Sequence, residues 1–302
     1  MGDKPTRRRF IQVSSAAALA GLAGCAGDDN EMMEETDESM DDDSMDTETD
    51  ESMATESDDS MDSETGTDDE MMSATTTFTV RVENVAPTDY YDGTSSTNGA
   101  IWVTPGAYAV HSGSNPVFTP GESASIGLEA QAEAGPPTGF EGEDGLVTEL
   151  SNAMEVVHAG AFAPDDTVQD PNDPMGEVPG APPIAPDGAF EFDIEAEPGQ
   201  RLSFASMFVP SNDLFLSPGE DGLALFNDDD TPVEGQLTGI ELWDAGTEPN
   251  QQPGMGEDQA PAQDSPDQGD DEDGVVRALG EVDDGYDYPD ASEVLEITVT
   301  PQ

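Results

Sequence analysis

Phe78-Thr79-Val80-Arg81-Val82-Glu83-Asn84-Val85 places an apolar side chain at alternate positions, so an extended backbone sets Phe78, Val80, Val82 and Asn84 on one face. Glu293-Val294-Leu295-Glu296-Ile297-Thr298-Val299 repeats the style near the C-terminus. Both read as half-buried strands. Between them, Ala100–Val103, Ala107–His111, Ser123–Leu128, Ala189–Ile194, Arg201–Val209, Leu223–Phe226 and Gly239–Trp243 are further strand candidates. Nine short strands punctuated by Gly and Pro predict an all-β fold, an antiparallel β-sandwich. Leu146, Leu150, Met154 and Val157 recur at spacings of 4, 4 and 3 residues, which predicts one short amphipathic helix from about Gly145 to Val157, capping the sandwich.

Two stretches lack such patterns. Pro164–Pro186 carries seven prolines, and Pro249–Ser292 carries 13 acidic residues with one cation, Arg277. Both read as long surface loops inside a domain running from about 77 to 302.

The 302 residues hold 69 Asp+Glu against 7 Lys+Arg, a formal charge of −62. Nucleic acid is excluded as a partner, because its recognition needs a basic face. Such self-repulsion is tolerable where salt is concentrated, since the Debye length falls to about 3 Å at 1 M ionic strength. The acidity therefore reads first as solvation in brine.

Four of the seven cations, Lys4, Arg7, Arg8 and Arg9, precede an uncharged stretch from Phe10 to Gly24 that is too short to span a bilayer. Thr6-Arg7-Arg8-Arg9-Phe10-Ile11-Gln12 resembles a twin-arginine export signal, and Leu22-Ala23-Gly24-Cys25 resembles a lipoprotein box whose cysteine takes the lipid. The expectation is a signal peptide over residues 1–24 and a chain lipid-anchored through Cys25 on the outer face of the cytoplasmic membrane. Cys25 is the single cysteine, so no intramolecular disulfide can form.

Residues 28–70 contain 22 Asp+Glu, no cation and no aromatic residue, with Glu38-Ser39-Met40 and Asp43-Ser44-Met45 as members of a loose repeat. They cannot bury enough apolar area to offset an ordering entropy of roughly 1–2 kcal/mol per residue. Residues 25–76 are expected to form a disordered stalk that holds the domain away from the membrane.

Chemistry is sparse in the domain. A blue-copper site needs a Cys thiolate and two His, and here only His111 and His158 are present beside the lipidation cysteine. No Gly-x-Ser-x-Gly motif signals a serine nucleophile. Paired carboxylates for glycoside hydrolysis cannot be singled out among 46 acids from Phe78 onward. One arrangement does stand out. Asp213 ends Phe208-Val209-Pro210-Ser211-Asn212-Asp213, and 31 residues later Asp244 and Glu248 flank the Gly-containing turn of Trp243-Asp244-Ala245-Gly246-Thr247-Glu248. Carboxylates beside strand ends suit Ca²⁺, which takes 6 to 8 oxygen ligands in loose geometry.

Ser206-Met207-Phe208-Val209-Pro210-Ser211-Asn212-Asp213 and Trp243-Asp244-Ala245-Gly246-Thr247-Glu248 resemble the two signature segments of the spondin N-terminal domain family in its prokaryotic form. His111-Ser112-Gly113, Phe118-Thr119-Pro120-Gly121-Glu122-Ser123-Ala124-Ser125, Gly127-Leu128-Glu129-Ala130 and Ala132-Glu133 extend the resemblance, which covers roughly Phe78 to Gln302. It implies an eight-stranded antiparallel sandwich similar to the calcium-dependent lipid-binding modules, with one calcium near an end. By position, the resemblance implies Asp213, Asp244 and Glu248 as its ligands. Glu248 stands where the animal pattern has Asp, and this chain lacks the cysteines of the animal domains.

The expected function is therefore a surface-anchored, calcium-binding adhesion or recognition module that is not an enzyme. Its expected partners are the membrane, through the lipid on Cys25, and a cell-surface protein or glycan. A solute-binding lipoprotein and an extracytoplasmic carboxylate-dependent hydrolase are the alternatives.

Overall fold

Residues 74–91, 97–162 and 182–302 are described by a computed structural model of the chain. The expected export signal with Arg7 and Arg8, the lipidation residue Cys25, the stalk up to residue 73 and residues 163–181 of the proline-rich loop lie outside them. The elements run β1 (Thr76–Asn84), β2 (Val103–His111), α1 (Ile126–Glu133), α2 (Leu146–Ser151), β3 (Val156–Phe162), β4 (Ala189–Ala196), β5 (Arg201–Phe208), β6 (Leu214–Pro218), β7 (Leu223–Ala224), β8 (Gly235–Leu237), β9 (Ile240–Asp244), β10 (Arg277–Ala278) and β11 (Leu295–Pro301).

The strands form two antiparallel sheets, one ordered β4-β1-β11-β8 and the other β10-β9-β6-β5-β2-β3, with β7 paired to β5. The two alternating stretches met first are neighbours: β1 pairs β11 with Phe78 opposite Pro301 and Val82 opposite Ile297. Phe78, Val80 and Val82 are buried, together with Phe190 and Ile194 of β4 and Ile297 and Val299 of β11. They meet Tyr108, Val110, Leu202, Phe204, Phe208 and Leu216 from the second sheet to make the sandwich core. Each such side chain contributes about 1.5–3 kcal/mol on full burial.

The second sheet is covered on its outer face as well. Ala107, Ala109, Ala205, Phe215 and Trp243 pack there against Phe118, Leu128, Ala132, Leu146 and Leu150, which belong to the two helices and their approach. All nine residues of β2 are buried, as expected of a strand with both faces covered. Small residues on the outer face let the helices approach closely.

Several expectations change. Ala100–Val103 is not a strand of its own, since only Val103 is extended in a sheet, as the first residue of β2. Ser123–Leu128 is not a strand: Ser125 is the N-cap of α1, its hydroxyl accepting from Leu128 N at 3.2 Å. The helix expected from Gly145 to Val157 is only Leu146–Ser151 and stops at Asn152. Leu146 and Leu150 are buried as its period requires, whereas Met154 is wholly exposed and Val157 belongs to β3. The sandwich thus carries two helices rather than one. The stretch Pro249–Ser292 is also more than a surface loop, since Gln259, Val276 and Leu279 are buried and β10 adds a strand to the second sheet.

Candidate metal centre

Strand pairing explains why residues 31 positions apart meet. β6 and β9 run antiparallel with Leu214 opposite Asp244, so the residue before β6, Asp213, lies against the turn that leaves β9. Ala245 N donates to the Asp213 carbonyl at 3.2 Å, which locks the two segments together. Gly246 has φ +67, a conformation that suits glycine and closes the turn tightly. There Gly246 N donates to Asp244 Oδ1 at 2.7 Å. The turn then aims two further amides at the neighbouring segment: Thr247 N and Glu248 N donate to Asp213 Oδ2 at 2.8 and 3.1 Å.

Asp213 and Asp244 are both fully buried, at 0% exposure, and are close enough to repel. Burial, and next the charge of Asp244, pushes the Asp213 carboxyl well above the usual carboxylate range, against the two amide bonds that favour its anion. Burial raises Asp244 too, opposed by Arg277 and the Asn250 amide. Asn250 Nδ2 donates to Asp244 Oδ2 at 2.8 Å, and an Arg277 guanidinium nitrogen reaches the same oxygen at 3.3 Å. The other carboxylate oxygen of the pair, Asp213 Oδ1, is buried with no hydrogen-bond partner.

Glu248 is placed differently from the other two. It is buried at 1% exposure, but its carboxylate accepts from Asn212 Nδ2 at 3.2 Å and from Gly269 N at 2.9 Å. Its backbone amide is what meets Asp213. The sequence-derived trio is therefore a close pair, Asp213 and Asp244, with Glu248 at the base of the same turn turned toward a second acidic group.

That second group centres on Glu133, the last residue of α1. Burial, then the charges of Glu248 and Glu129, push its carboxyl up to about 9, while a hydrogen bond with Thr247 acts the other way. Among the described residues, ligand atoms of Glu129, Glu133 and Asp267 lie within 4.8 Å of one another, a grouping that could hold a metal ion. Glu133 carries no signal of this grouping as a single residue in the sequence. The signal is the spacing of Glu129 and Glu133, which share a face only on a helix, whereas the sequence of Ser123–Leu128 leading into them suggests a strand.

The two histidines do not meet a carboxylate in any metal-binding grouping among the described residues. His111 Nε2 lies 2.8 Å from Ser203 Oγ, but both residues are at 0% exposure, so no substrate reaches that pair. His158 Nε2 lies 3.1 Å from the Tyr108 hydroxyl.

Although among the described residues they form no group of three ligands as Glu129, Glu133 and Asp267 do, Asp213 and Asp244 are oxygen donors of the kind a hard divalent cation takes. They offer oxygen donors from two adjacent strand ends, and one of those oxygens is buried with nothing to bond. No protein-family model matches the chain, and no curated protein matches it significantly.

Proposed function

We propose that this chain is a calcium-binding β-sandwich of the spondin N-terminal type, lipid-anchored through Cys25 at the outer face of the membrane, and that it works in adhesion or recognition rather than catalysis. The observation that carries the reading is the side-by-side burial of Asp213 and Asp244 with Asp213 Oδ1 lacking a partner. Two adjacent buried anions are costly unless paired or coordinated to a metal. Asp213 and Asp244 would supply carboxylate oxygens to the ion, and Thr247 and Glu248 hold Asp213 in place through their backbone amides. Glu248 serves as an outer support of the turn rather than as a direct ligand, because its carboxylate is occupied by Asn212 and Gly269.

Calcium supplies charge neutralisation and rigidity at this end of the sandwich. A partner, a cell-surface protein or glycan, would then meet loops whose shape is fixed. The test is calorimetric titration of Ca²⁺ into the metal-free protein at high salt. Saturable binding is expected for the wild type, with at least a tenfold loss in Asp244→Asn, in keeping with about 1.4 kcal/mol per decade of affinity. Absence of binding heat, or an unchanged affinity in Asp244→Asn, removes the metal from the account.

A further inference from the structure

The described residues carry three cations, and they are not spread evenly. Arg81 pairs with Glu83 at 3.1 Å on the outside of β1, and Arg201 donates to the Gly222 carbonyl at 3.0 Å. Arg277 alone reaches the buried carboxylates. It opens β10, where its register partner on β9 is Asp244, and one guanidinium nitrogen lies 3.3 Å from Asp244 Oδ2 and 3.0 Å from Glu272 Oε1.

We propose that Arg277 is the built-in counter-cation of the Asp213–Asp244 site, holding the site together in the metal-free protein and setting a ceiling on its affinity for a divalent ion. The inference rests on the calcium-binding reading above and deepens it.

Charge, rather than the arginine's own bonding, accounts for this placement. Arg277 Nε is buried with no acceptor, an unfavourable position for an arginine donor, and the side chain is held there by two carboxylates that share one terminal nitrogen. The guanidinium does not deprotonate in proteins, so its charge is fixed at any working pH. Without metal it is the one cation among the described residues in contact with Asp244, and because Asp244 is buried while the arginine is partly exposed, removing the arginine leaves the buried carboxylate without its cation. With metal, the same carboxylate faces two cations. Asp244 Oδ2 already accepts from Asn250 and Arg277, so an ion using that oxygen competes for its lone pairs and is repelled by the guanidinium as well.

The test uses the full chain with CaCl2 at high salt, comparing wild type, Arg277→Gln and Arg277→Lys by calorimetry and by thermal unfolding with calcium or chelator. Arg277→Gln is expected to bind Ca²⁺ about tenfold more tightly, and to unfold at a lower temperature than wild type in chelator but not in saturating calcium. Arg277→Lys, which keeps the charge, should stay near wild type in both. Equal or weaker calcium binding by a folded Arg277→Gln overturns the proposal. Should that variant not fold, the Arg277 Nε–H resonance of the wild type decides: it should move on calcium addition, and a fixed signal overturns the proposal. A wild type that binds no calcium brings down the metal reading and this inference together, an outcome distinct from a wild type that binds while Arg277→Gln is unchanged.

Discussion

His111 shows how a single residue departs from the role its chemistry suggests. It lies at the end of β2 at 0% exposure, bonded to Ser203 through Nε2, while Nδ1 is buried without a partner. Burial, and then the charge of Arg201, lowers its pKa from 6.5 to about 4. Between those values the unfolded chain holds a proton that the folded chain does not, so stability rises with pH across this window and is lost as pH falls toward about 4. The slope is about 1.4 kcal/mol per pH unit, and the whole effect amounts to about 3 kcal/mol. Urea unfolding of wild type and His111→Gln from pH 4 to 7 checks this. The stability difference between them should shift toward the variant as pH falls, and parallel curves would refute it. At the same scale, Asp213 and Asp244 were legible in the sequence because they sit in specific segments at strand ends. Glu133 was not, because its significance depends on which side of a helix faces the turn around Thr247, and no local pattern carries that.

Among the elements, the strands easiest to read were those with one face buried. β1, β4 and β11 alternate cleanly because the other face of their sheet meets water. β3 and β6 escaped notice for different reasons. Val156–Phe162 is largely Ala and Gly after its first two valines, and Leu214–Pro218 is a short apolar run with no alternation. The helical period through Met154 and Val157 was coincidental beyond Ser151, because Asn152 ends α2 and the chain turns at once into β3. Gly106 marks a tight point of the strand packing. A Cβ there would run into the Ala205 carbonyl of β5 and the Phe162 ring of β3. Overpacking of this kind costs about 1–3 kcal/mol, and each kcal/mol lowers the melting temperature of a domain this large by about 2–4 °C. Gly106→Ala should therefore melt several degrees below wild type in thermal unfolding followed by circular dichroism. An unchanged midpoint would mean that β3 can move away at little cost.

Across the whole molecule, the acids divide into kinds that respond to salt differently. From Phe78 onward 46 acidic residues face three arginines, yet among the described residues few acids are buried: Glu133, Asp213, Asp244 and Glu248. The remainder repel one another through solvent, where screening acts, since the Debye length shrinks from about 10 Å at 0.1 M to about 3 Å at 1 M ionic strength. The buried acids are shielded from mobile ions, and Asp244 among them answers to Arg277. Monovalent salt should therefore raise the melting temperature of the chelated protein steadily over this range, and Asp244→Asn should rise in parallel with wild type because Asp244 takes no part in the screened repulsion. Calcium should add a further, saturable increase in wild type that Asp244→Asn lacks. Thermal unfolding over a salt series, with chelator or calcium, separates the two contributions. A melting temperature that is flat in salt would show that surface repulsion does not limit this fold. A calcium increment that vanishes at high salt in the wild type would show that the ion acts only as a screening charge and not at Asp213 and Asp244.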